Sequence, residues 1–401
     1  MNNPMPTRRF GRTELQMPVF SCGGMRFQQG WGDDEPEKIE KENQERLEAT
    51  VHRALQLGIN HIETARGYGP SEMQLGWVLP QLPREKMIVQ TKVGPHQDPK
   101  EFLKNFETSM GHLKLDYVDL LSFHGINTAE LLDQVVLRGG CLEVARQLQK
   151  EGRVRFVGFS THASNEVITR VNATGEFDYL NLHYYFVNEL NWAAIEEATR
   201  QDMGVFIISP TDKGGMLQSP PEKMKELCAP LTPMAFNDLW CLNKSQIHTL
   251  SIGAARPSDF DEHVEALQFY DAIPATIAPI EARLRDEMEK TFGDEWIRNW
   301  PHALPEHYEL PNDVNVREIL RVFTYAKSLG LIEWAKGRYN LLGNAGHWFP
   351  GQNLKVLENE EQWALLSQKL KGSPFAARIP AYLHEAHEML KGEEKQRQSQ
   401  E

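Results

Sequence analysis

Four polar residues that follow one another along the chain could together carry out acid–base chemistry. They are Glu63, Tyr68, Lys92 and His124, and each stands at or just behind the end of a short apolar run. A phenol has a pKa of about 10, so by itself it exchanges protons poorly at neutral pH. A neighbouring ammonium stabilises the phenolate and lowers that pKa, and a carboxylate can hold the ammonium charged and correctly aimed.

The histidine completes this set, because an imidazole can orient and polarise a carbonyl oxygen and help to move a proton. The four side chains therefore predict delivery of a proton to a carbonyl oxygen while a hydride reaches its carbon. Each residue also has a simpler interpretation. Glu63 and Lys92 could form a core ion pair, and Tyr68 could be a half-buried loop aromatic. His124 could be a hydrogen-bonded histidine at a strand end.

The first two thirds of the chain have a pattern that would bring these residues together. Short apolar runs such as "INHIE", "KMIVQTKVG" and "DYVDLLSFH" alternate with longer amphipathic segments. About eight such units predict parallel strands with crossover helices, and hence a closed (β/α)8 TIM barrel. Reactive groups of this fold gather at the C-terminal ends of the strands. The alternative, an open doubly wound sheet, lacks its GxGxxG fingerprint, because "CGGMRF" does not match.

The last third of the chain differs, since strand-like runs give way to helical segments punctuated by Gly, Asn and Pro. We predict a barrel over residues 1–275, an all-helical C-terminal domain over residues 276–390, and a disordered polar tail over residues 391–401. The four cysteines are scattered and form no CxxC pair, which predicts reduced thiols rather than a zinc site or a disulfide framework.

Charge and composition exclude several classes of function. The formal net charge of -13 argues against nucleic acid and against an anionic membrane surface as partners. The N-terminal stretch lacks the apolar centre of a signal peptide, and no apolar run approaches the ~18 residues of a membrane span. These features predict a cytoplasmic protein. The histidines show no HExxH motif, so no metal site is expected. The oligomeric state stays open.

The stretch "GINHIETARGYGPSEMQLG" resembles the aldo-keto reductase signature, in which an aspartate is followed by a tyrosine in a glycine-rich context. Lys92 in "VQTKVG" and His124 in "LLSFHG" match that family's other two active positions. The resemblance extends from roughly Arg8 to Tyr270. The segments "GFSTHA", "NLHYYFVN", "ISPTDKGGML" and "HTLSIGAARPSD" resemble one branch of the family, which carries a C-terminal helical domain similar to ferredoxin.

The resemblance implies an NADPH-dependent oxidoreductase that reduces a small-molecule carbonyl compound, an aldehyde or a ketone, to an alcohol. Tyr68 would donate the proton, with its pKa lowered by Lys92. Glu63 would hold Lys92, and His124 would orient the substrate oxygen. Glu63 replaces the family's aspartate and lengthens the arm by one methylene. Many members of the branch bind a [4Fe–4S] cluster through cysteines, but this chain has none after Cys241, so no iron–sulfur cluster is expected.

The resemblance also implies which residues would hold the dinucleotide. The nicotinamide would lie against Ser160, Thr161 and Asn181, where Thr161 and Asn181 replace the family's asparagine and glutamine. The other implied positions follow the last two strands, and they are Ser209, Lys213, Gly214, Gly215, Gly253, Arg256, Glu262 and His263. Ser209 ends the seventh strand, and Lys213 and the two glycines after it would approach the pyrophosphate. The last four belong to a segment that resembles the family's binding site for the 2′-phosphate and adenine. Asp259 stands where a polar or basic residue would suit a phosphate better.

A second class of function stays open at this point. The chain could be a nucleotide-binding sensor or a partner-binding module on a reductase scaffold, with weak or vestigial catalysis. The replacement of the family's aspartate by Glu63 and the missing cluster cysteines motivate this alternative. A measurable hydride transfer from bound cofactor would distinguish the enzyme from the pure sensor.

Overall fold

The structure is a computed structural model that describes residues 4–27, 29–32 and 35–395. These residues form two compact units. The first unit contains the chain up to Tyr185 together with Asn191–Pro210 and Asp238–Asp271, and the second contains Phe186–Leu190, Thr211–Asn237 and the chain from Ala272 onward. The domain boundaries expected at residues 275 and 390 stay predictions. Most of the expected polar tail, from residue 396, lies outside the described residues.

Eight parallel strands of the first unit close into a barrel. A short antiparallel hairpin of β1 (Thr7–Arg9) and β2 (Gln16–Pro18) precedes them. The barrel strands are β3 (Phe20–Gly23), β4 (His61–Glu63), β5 (Ile88–Val93), β6 (Val118–His124), β7 (Val154–Ser160), β8 (Tyr179–Leu182), β9 (Gly204–Ile207) and β10 (Thr249–Ile252). Each pairs with the next in sequence, and β10 closes the ring on β3. The predicted (β/α)8 TIM barrel is confirmed.

Helices alternate with the barrel strands, as the amphipathic segments predict. They are α1 (Lys41–Gln56), α2 (Ser71–Leu75), α3 (Pro99–Leu113), α4 (Ala129–Val136), α5 (Cys141–Lys150), α6 (Asn165–Ala173), α7 (Trp192–Arg200), α8 (Glu222–Cys228), α9 (Pro233–Leu242) and α10 (Asp261–Ala266). Asp98 caps α3 by accepting from the backbone N–H of Lys100 at 2.9 Å. Thr128 caps α4 in the same way through Leu131. Such caps satisfy donors that a helix start leaves unpaired.

The N-terminal hairpin closes the end of the barrel at which the strands begin. Phe10 and Met17 are buried in one cluster with Tyr179 and Phe206 of the barrel strands. A Cβ on Gly204, the first residue of β9, would lie 2.6 Å from the ring of Phe10, so this position requires glycine. The hairpin therefore leaves the opposite end of the barrel, where the strands finish, for the candidate site.

The C-terminal part of the second unit is built of helices joined by loops, with one isolated parallel bridge between Val314 and Gln352 among its described residues. Its helices are α11 (Ile273–Phe292), α12 (Asp294–Asn299), α13 (Val316–Leu329), α14 (Ile332–Leu341), α15 (Glu360–Lys369) and α16 (Ile379–Leu390). Trp296 is fully buried, stacked on Phe292 at 6.0 Å and edge-on to Tyr382 at 4.7 Å between ring centroids. The predicted all-helical C-terminal region is confirmed, and its likeness to ferredoxin stays a prediction.

The described residues contain neither a membrane-spanning helix nor a cluster of metal-binding side chains. No helix among residues 4–395, apart from the gaps at 28 and 33–34, is long and apolar enough to cross a membrane. Within the same ranges, no group of three or more His, Cys, Asp and Glu side chains is arranged to hold a metal ion. The four cysteines are buried and form no disulfide.

Candidate active site

The ends of β4 and β5 place Glu63 beside Lys92. The two side chains form an ion pair in which the lysine is 1% and the glutamate 3% exposed. Lys92 Nζ also donates to the backbone carbonyl of Thr64 at 3.0 Å. The longer arm of the glutamate therefore reaches the ammonium on this backbone, although the family pattern has an aspartate at this position.

Tyr68 lies in the loop between β4 and α2, close to the same ammonium. Lys92 Nζ donates to the phenol oxygen at 3.1 Å and lies 4.5 Å from the centroid of the ring. The backbone fixes this loop, since Arg66 N–H donates to Lys92 O at 2.9 Å and Tyr68 N–H donates to Ala65 O at 3.0 Å. The position of the phenol is thus set by the strand that carries the lysine.

The residue after Tyr68 explains why this turn is rich in glycine. Gly69 has a φ of +54°, a conformation that side chains other than glycine rarely adopt. A Cβ at this position would also lie 2.0 Å from the carbonyl oxygen of Gly30. Gly69 therefore permits a turn that brings the phenol back over the end of β5.

His124 ends β6, the next strand around the barrel, and contacts the phenol. Its ring meets that of Tyr68 edge to face, with centroids 5.6 Å apart and planes at 84°. His124 is half-buried, as is Tyr68. The four residues that the sequence analysis selected as catalytic thus meet at the ends of three adjacent strands. Their roles in a reaction stay a prediction.

Burial affects the ionisation of both Tyr68 and Lys92. It raises the pKa of the Tyr68 phenol above its ordinary value of 10.0, and it lowers the pKa of the Lys92 ammonium well below 10.5. The direction for Tyr68 is opposite to the expectation that Lys92 would lower it, because the loss of solvent outweighs the neighbouring cation. The phenol is therefore protonated at neutral pH, the form that a proton donor needs.

Arg66 and Glu72 brace the loop around Tyr68, a role that was not predicted from the sequence. Glu72 is fully buried, accepts from the hydroxyl of Thr91 at 2.5 Å, and pairs with Arg66 at 3.6 Å. Thr91 precedes Lys92 on β5, so this network links the loop to the strand that carries the lysine. The signal in the sequence was the stretch "TARGYGPSE", in which two opposite charges flank the turn.

The expected nicotinamide residues lie at the ends of β7 and β8. Ser160 and Asn181 are paired in register across these strands. Asn181 Oδ1 accepts from Gln90 Nε2 at 3.3 Å, whereas its buried Nδ2 has no hydrogen-bond partner among the described residues. Unpaired buried donors are uncommon, and a carboxamide oxygen of a nicotinamide fits the chemistry of this one.

The hydroxyl groups of the other two expected nicotinamide residues already have protein partners. Ser160 Oγ accepts from the backbone N–H of Gly125 at 3.1 Å, and Thr161 Oγ1 donates to the carbonyl of Ile126 at 2.8 Å. These bonds tie the loop after β7 to the loop after β6. A role of Thr161 in holding a carboxamide therefore stays a prediction, and its observed contacts are structural.

Ser209 and the expected pyrophosphate residues belong to different compact units. Ser209 follows β9 in the first unit and has a φ of 52°, whereas Lys213, Gly214 and Gly215 belong to the second unit. Burial and the nearby cation of Arg338 lower the pKa of Lys213 to about 7. These residues stay predicted phosphate ligands.

The loop after β10 carries two further expected cofactor residues, and both are exposed to solvent. Gly253 and Arg256 are exposed, and Arg256 Nε donates to Asp259 Oδ1 at 2.9 Å. The guanidinium that would meet a 2′-phosphate therefore already has a carboxylate partner. A second exposed cation, Arg26 after β3, is close by, because a Cβ on Gly253 would lie 3.5 Å from its Cδ and Nε. Arg26 was not predicted from the sequence as a functional residue.

The last two expected cofactor residues differ in their surroundings. Glu262 is half-buried on α10. His263 is 3% exposed, with Nδ1 2.5 Å from Asp238 Oδ2 and its ring edge-on to Phe20 at 5.7 Å. A contact of His263 with the adenine stays a prediction that this burial does not favour, because its observed role is to join α10 to α9 and the barrel wall.

Comparisons with known proteins agree with this geometry. The model of the Aldo/keto reductase family matches residues 20–265. L-galactose dehydrogenase of Arabidopsis thaliana is 28% identical over 278 residues, which cover 61% of this chain and 86% of the relative. The NADH-specific methylglyoxal reductase of Escherichia coli (strain K12) is 26% identical over 187 residues, 41% of this chain and 56% of the relative.

Solved structures support the same fold. An aldo-keto reductase from Bacillus halodurans in its holo form superimposes with a TM-score of 0.58 at 20% identity, over 70% of this chain and 96% of its own. A thermostable aldo-keto reductase in complex with the inhibitor epalrestat gives a TM-score of 0.55 at 19% identity, over 68% of this chain and 99% of its own. At these identities the likeness concerns the barrel fold alone.

Proposed function

The chain belongs to the aldo/keto reductase family, and from this premise we propose that it reduces an aldehyde or ketone to an alcohol with NADPH. As a member of the family it is an NAD(P)H-dependent oxidoreductase acting on a small-molecule carbonyl compound. The observation that carries the proposal is the 3.1 Å hydrogen bond from Lys92 to a Tyr68 phenol that burial keeps protonated. The relatives are named as a dehydrogenase and a reductase, which agrees with an oxidoreductase.

The proposed reaction assigns each residue a step in proton transfer. A reduced nicotinamide, when bound, supplies the hydride to the carbonyl carbon. Tyr68 donates its phenol proton to the carbonyl oxygen as negative charge develops there. Lys92 stabilises the resulting phenolate, and Glu63 keeps the ammonium beside it. In the reverse direction the phenolate accepts the proton of an alcohol.

His124 would act on the substrate oxygen rather than on the proton itself. Its ring contacts the Tyr68 ring edge to face, so both side chains lie at the same part of the barrel end. An imidazole N–H aimed at a carbonyl oxygen polarises the carbonyl and fixes its orientation. We assign His124 this orienting role.

The proposal also includes a preference for NADPH over NADH. Asn181 Nδ2 would bond the carboxamide of the nicotinamide, and Arg256 would bond the 2′-phosphate. The pair of Arg256 with Asp259 is exposed, with side chains 70% and 28% accessible. Exposed pairs contribute little stability, so a phosphate can replace the carboxylate. Because one relative is named NADH-specific, both cofactors belong in the test.

The test is single-turnover stopped-flow kinetics on the full chain. The protein is loaded with NADPH or NADH and mixed with a panel of aldehydes and ketones, while absorbance follows the oxidation of the cofactor. We expect oxidation of bound NADPH with at least part of the panel. Cofactor binding without oxidation by any member would instead support the nucleotide-binding sensor or partner-binding module.

A further inference from the structure

A buried side-chain amide bridges the inside of the barrel and has no role in the reaction proposed above. Gln90 lies on β5, two residues before Lys92, and is fully buried. Its Nε2 donates to Ser122 Oγ on β6 at 2.9 Å and to Asn181 Oδ1 on β8 at 3.3 Å. Gln90 therefore connects the strand that carries the lysine with the strand that carries an expected nicotinamide ligand.

This position is costly for a polar side chain. Side chains alternate along a strand, so Gln90 points to the same side of β5 as Lys92, the inside of the barrel, where Val, Ile and Leu usually dominate. Buried polar groups cost free energy unless they are hydrogen-bonded. Gln90 Oε1 and Asn181 Nδ2 nevertheless have no hydrogen-bond partner among the described residues. An apolar pair would avoid this cost, so the two amides need an explanation other than packing.

The hydrogen bonds around Gln90 form a closed network. Ser122 Oγ, which accepts from Gln90, is also 2.9 Å from the hydroxyl of Tyr179. Tyr179 and Asn181 lie on the same strand, two residues apart, so the network runs from β8 through β5 and β6 back to β8. All four side chains are fully buried. Because Ser122 and Asn181 hold the same Nε2 from two strands, the amide of Gln90 cannot rotate freely.

Gln90 in turn sets the orientation of the Asn181 amide. The last torsion of an asparagine side chain has a broad range of angles, so a hydrogen bond decides how the amide is turned. Whichever end of that amide meets Gln90, the other end stays unpaired among the described residues. Ser160 pairs in register with both Asn181 and His124, so Asn181 belongs to the same end of the barrel as the candidate catalytic residues.

We propose that Gln90 is a positioning residue, which orients the amide of Asn181 and through it the carboxamide of the bound nicotinamide. This inference rests on the proposed function, in which Asn181 binds that carboxamide, and adds a residue that the family resemblance did not imply. Gln90 also bonds Ser122, which pairs in register with Lys92. One side chain thereby ties the ligand of the hydride donor to the strand that holds the partner of the proton donor. A misplacement of about 1 Å between such groups can cost on the order of a hundredfold in rate.

The experiment is a fluorescence titration of the full chain with NADPH in the absence of substrate. Gln90→Met keeps the length of the side chain and removes its amide. We expect the Kd for NADPH to rise about three- to tenfold, as the loss of one hydrogen bond allows. In steady-state kinetics the KM for NADPH should rise with it, whereas the KM for the aldehyde should not, because Tyr68 and His124 keep their contacts.

Asn172→Leu is the matched control. Asn172 on α6 is 1% exposed, and its Nδ2 donates to Ala194 O at 2.8 Å, while its Oδ1 has no partner among the described residues. The substitution thus removes an equally buried, half-bonded amide outside the barrel interior. The Kd for NADPH should stay at the wild-type value.

A double-mutant cycle shows whether Gln90 acts through Asn181. Asn181→Leu alone should raise the Kd for NADPH, and Gln90→Met should add nothing in that background. A general weakening of the barrel would raise the Kd by the same factor in both backgrounds. Ser122→Ala removes the hydroxyl behind the Gln90 amide and should cause a smaller rise, so it gives a second reading if Gln90→Met does not fold.

The outcomes separate this inference from the proposed function. An unchanged Kd in Gln90→Met, an equal rise in Asn172→Leu, or the same factor in the Asn181→Leu background would overturn the role of Gln90. If Gln90→Met did not fold, an unchanged Kd in Ser122→Ala would overturn it. A wild-type chain that binds neither NADPH nor NADH would overturn the proposed function and this inference together, whereas oxidation of NADPH with an unchanged Kd in Gln90→Met would overturn this inference alone.

Discussion

Lys92 meets Tyr68 in two ways at once, with its Nζ 3.1 Å from the phenol oxygen and 4.5 Å from the ring centroid. With the Glu63 carboxylate beside it, Lys92 is held as an ammonium, which has donors and no acceptor, so the phenol oxygen accepts in this bond. The proton of Tyr68 is therefore directed away from the lysine. The relationship leaves that proton available for a substrate oxygen and places a cation where negative charge would form.

Removal of the phenol hydroxyl tests this arrangement most directly. We expect Tyr68→Phe to lower kcat for carbonyl reduction by about 10²–10⁴-fold, the usual contribution of a positioned general acid. The ring and its contact with His124 would remain, so cofactor affinity should not change. Steady-state kinetics and a fluorescence titration with NADPH measure the two quantities.

Tyr117→Phe is the matched control for this substitution. Tyr117 lies before β6, at the opposite end of the barrel, where its ring stacks on Arg84 at 3.9 Å. The same loss of a hydroxyl there should leave kcat unaltered. If Tyr68→Phe retained most of its activity on aldehydes while Tyr117→Phe behaved as wild type, Tyr68 would not be the proton donor.

The buried ion pair predicts a second effect, on stability. Glu63→Gln would leave the Lys92 ammonium buried without its carboxylate, and breaking a buried pair in this way typically costs about 3–5 kcal/mol. We expect a lower free energy of unfolding in urea, together with a loss of activity, because the lysine would no longer be held beside Tyr68.

Glu63→Asp provides the conservative comparison. It keeps the charge but shortens the arm by one methylene, so it should lose less stability than Glu63→Gln and keep part of the activity. Equal stability of wild type and Glu63→Gln would mean that the contact between Glu63 and Lys92 is not an ion pair that supports the fold.

The raised pKa of Tyr68 predicts how the rate depends on pH. Burial raises this pKa above 10.0, so the donor stays protonated across the neutral range and is lost only in strongly alkaline solution. Reduction should therefore show no alkaline loss of kcat from Tyr68 between neutral pH and 10. Oxidation of an alcohol needs the phenolate, so its rate should rise with pH over the same range.

Profiles of kcat in both directions, with Tyr68→Phe as the background, measure this dependence. If kcat for reduction fell between neutral pH and pH 10 in the wild type but not in Tyr68→Phe, the phenol of Tyr68 would ionise in that range. Lys92, and not the loss of solvent, would then dominate the pKa of Tyr68.

The barrel and the four-residue cluster could be predicted because their signals are periodic and local. Each strand of the barrel was marked by a short apolar run, and Glu63, Lys92 and His124 were found by reading the ends of those runs. Tyr68 followed from the glycine-rich turn. The N-terminal hairpin escaped prediction because its strands, Thr7–Arg9 and Gln16–Pro18, contain no apolar run that would mark them.

The environment of each side chain could not be predicted, because it depends on residues distant in sequence. The raised pKa of Tyr68 follows from its burial in the folded chain. His263 is held by Asp238, and Thr161 by Ile126, across gaps that no sequence spacing reveals. Arg26 had no motif to mark it, and its position beside Gly253 emerges only when β3 and β10 close the barrel.

The loop after β10 predicts a choice between cofactors. If Arg256 binds the 2′-phosphate, Arg256→Ala should raise the KM for NADPH by about tenfold or more, the usual loss for a charged hydrogen bond, and leave the KM for NADH unchanged. Arg200→Ala is the control, since Arg200 forms a similar exposed pair with Glu197 on α7. Equal effects of Arg256→Ala on both cofactors would argue against a phosphate contact.

A cluster in the second unit predicts acid sensitivity of the helical region. Glu318 on α13 accepts from Arg321 Nη2 at 2.6 Å and from Arg338 Nη2 at 3.0 Å. Burial would raise the pKa of Glu318, but the two guanidinium groups outweigh it and lower the pKa from 4.5 to about 2. A carboxylate with a depressed pKa stabilises the folded state above its unfolded value, and this contribution disappears as the pH falls toward the folded value.

Glu318 should therefore contribute on the order of 3 kcal/mol at neutral pH, and this amount should be lost between pH 4.5 and about 2. Urea unfolding of the full chain at a series of pH values measures this contribution.

Glu318→Gln should be less stable at neutral pH, because Arg321 is 2% exposed and loses its partner. Its stability should also decline less steeply below pH 4.5. Glu333→Gln, at an exposed carboxylate on α14, should follow the wild-type curve. Parallel curves for wild type and Glu318→Gln below pH 4.5 would mean that Glu318 is not held ionised by its two arginines.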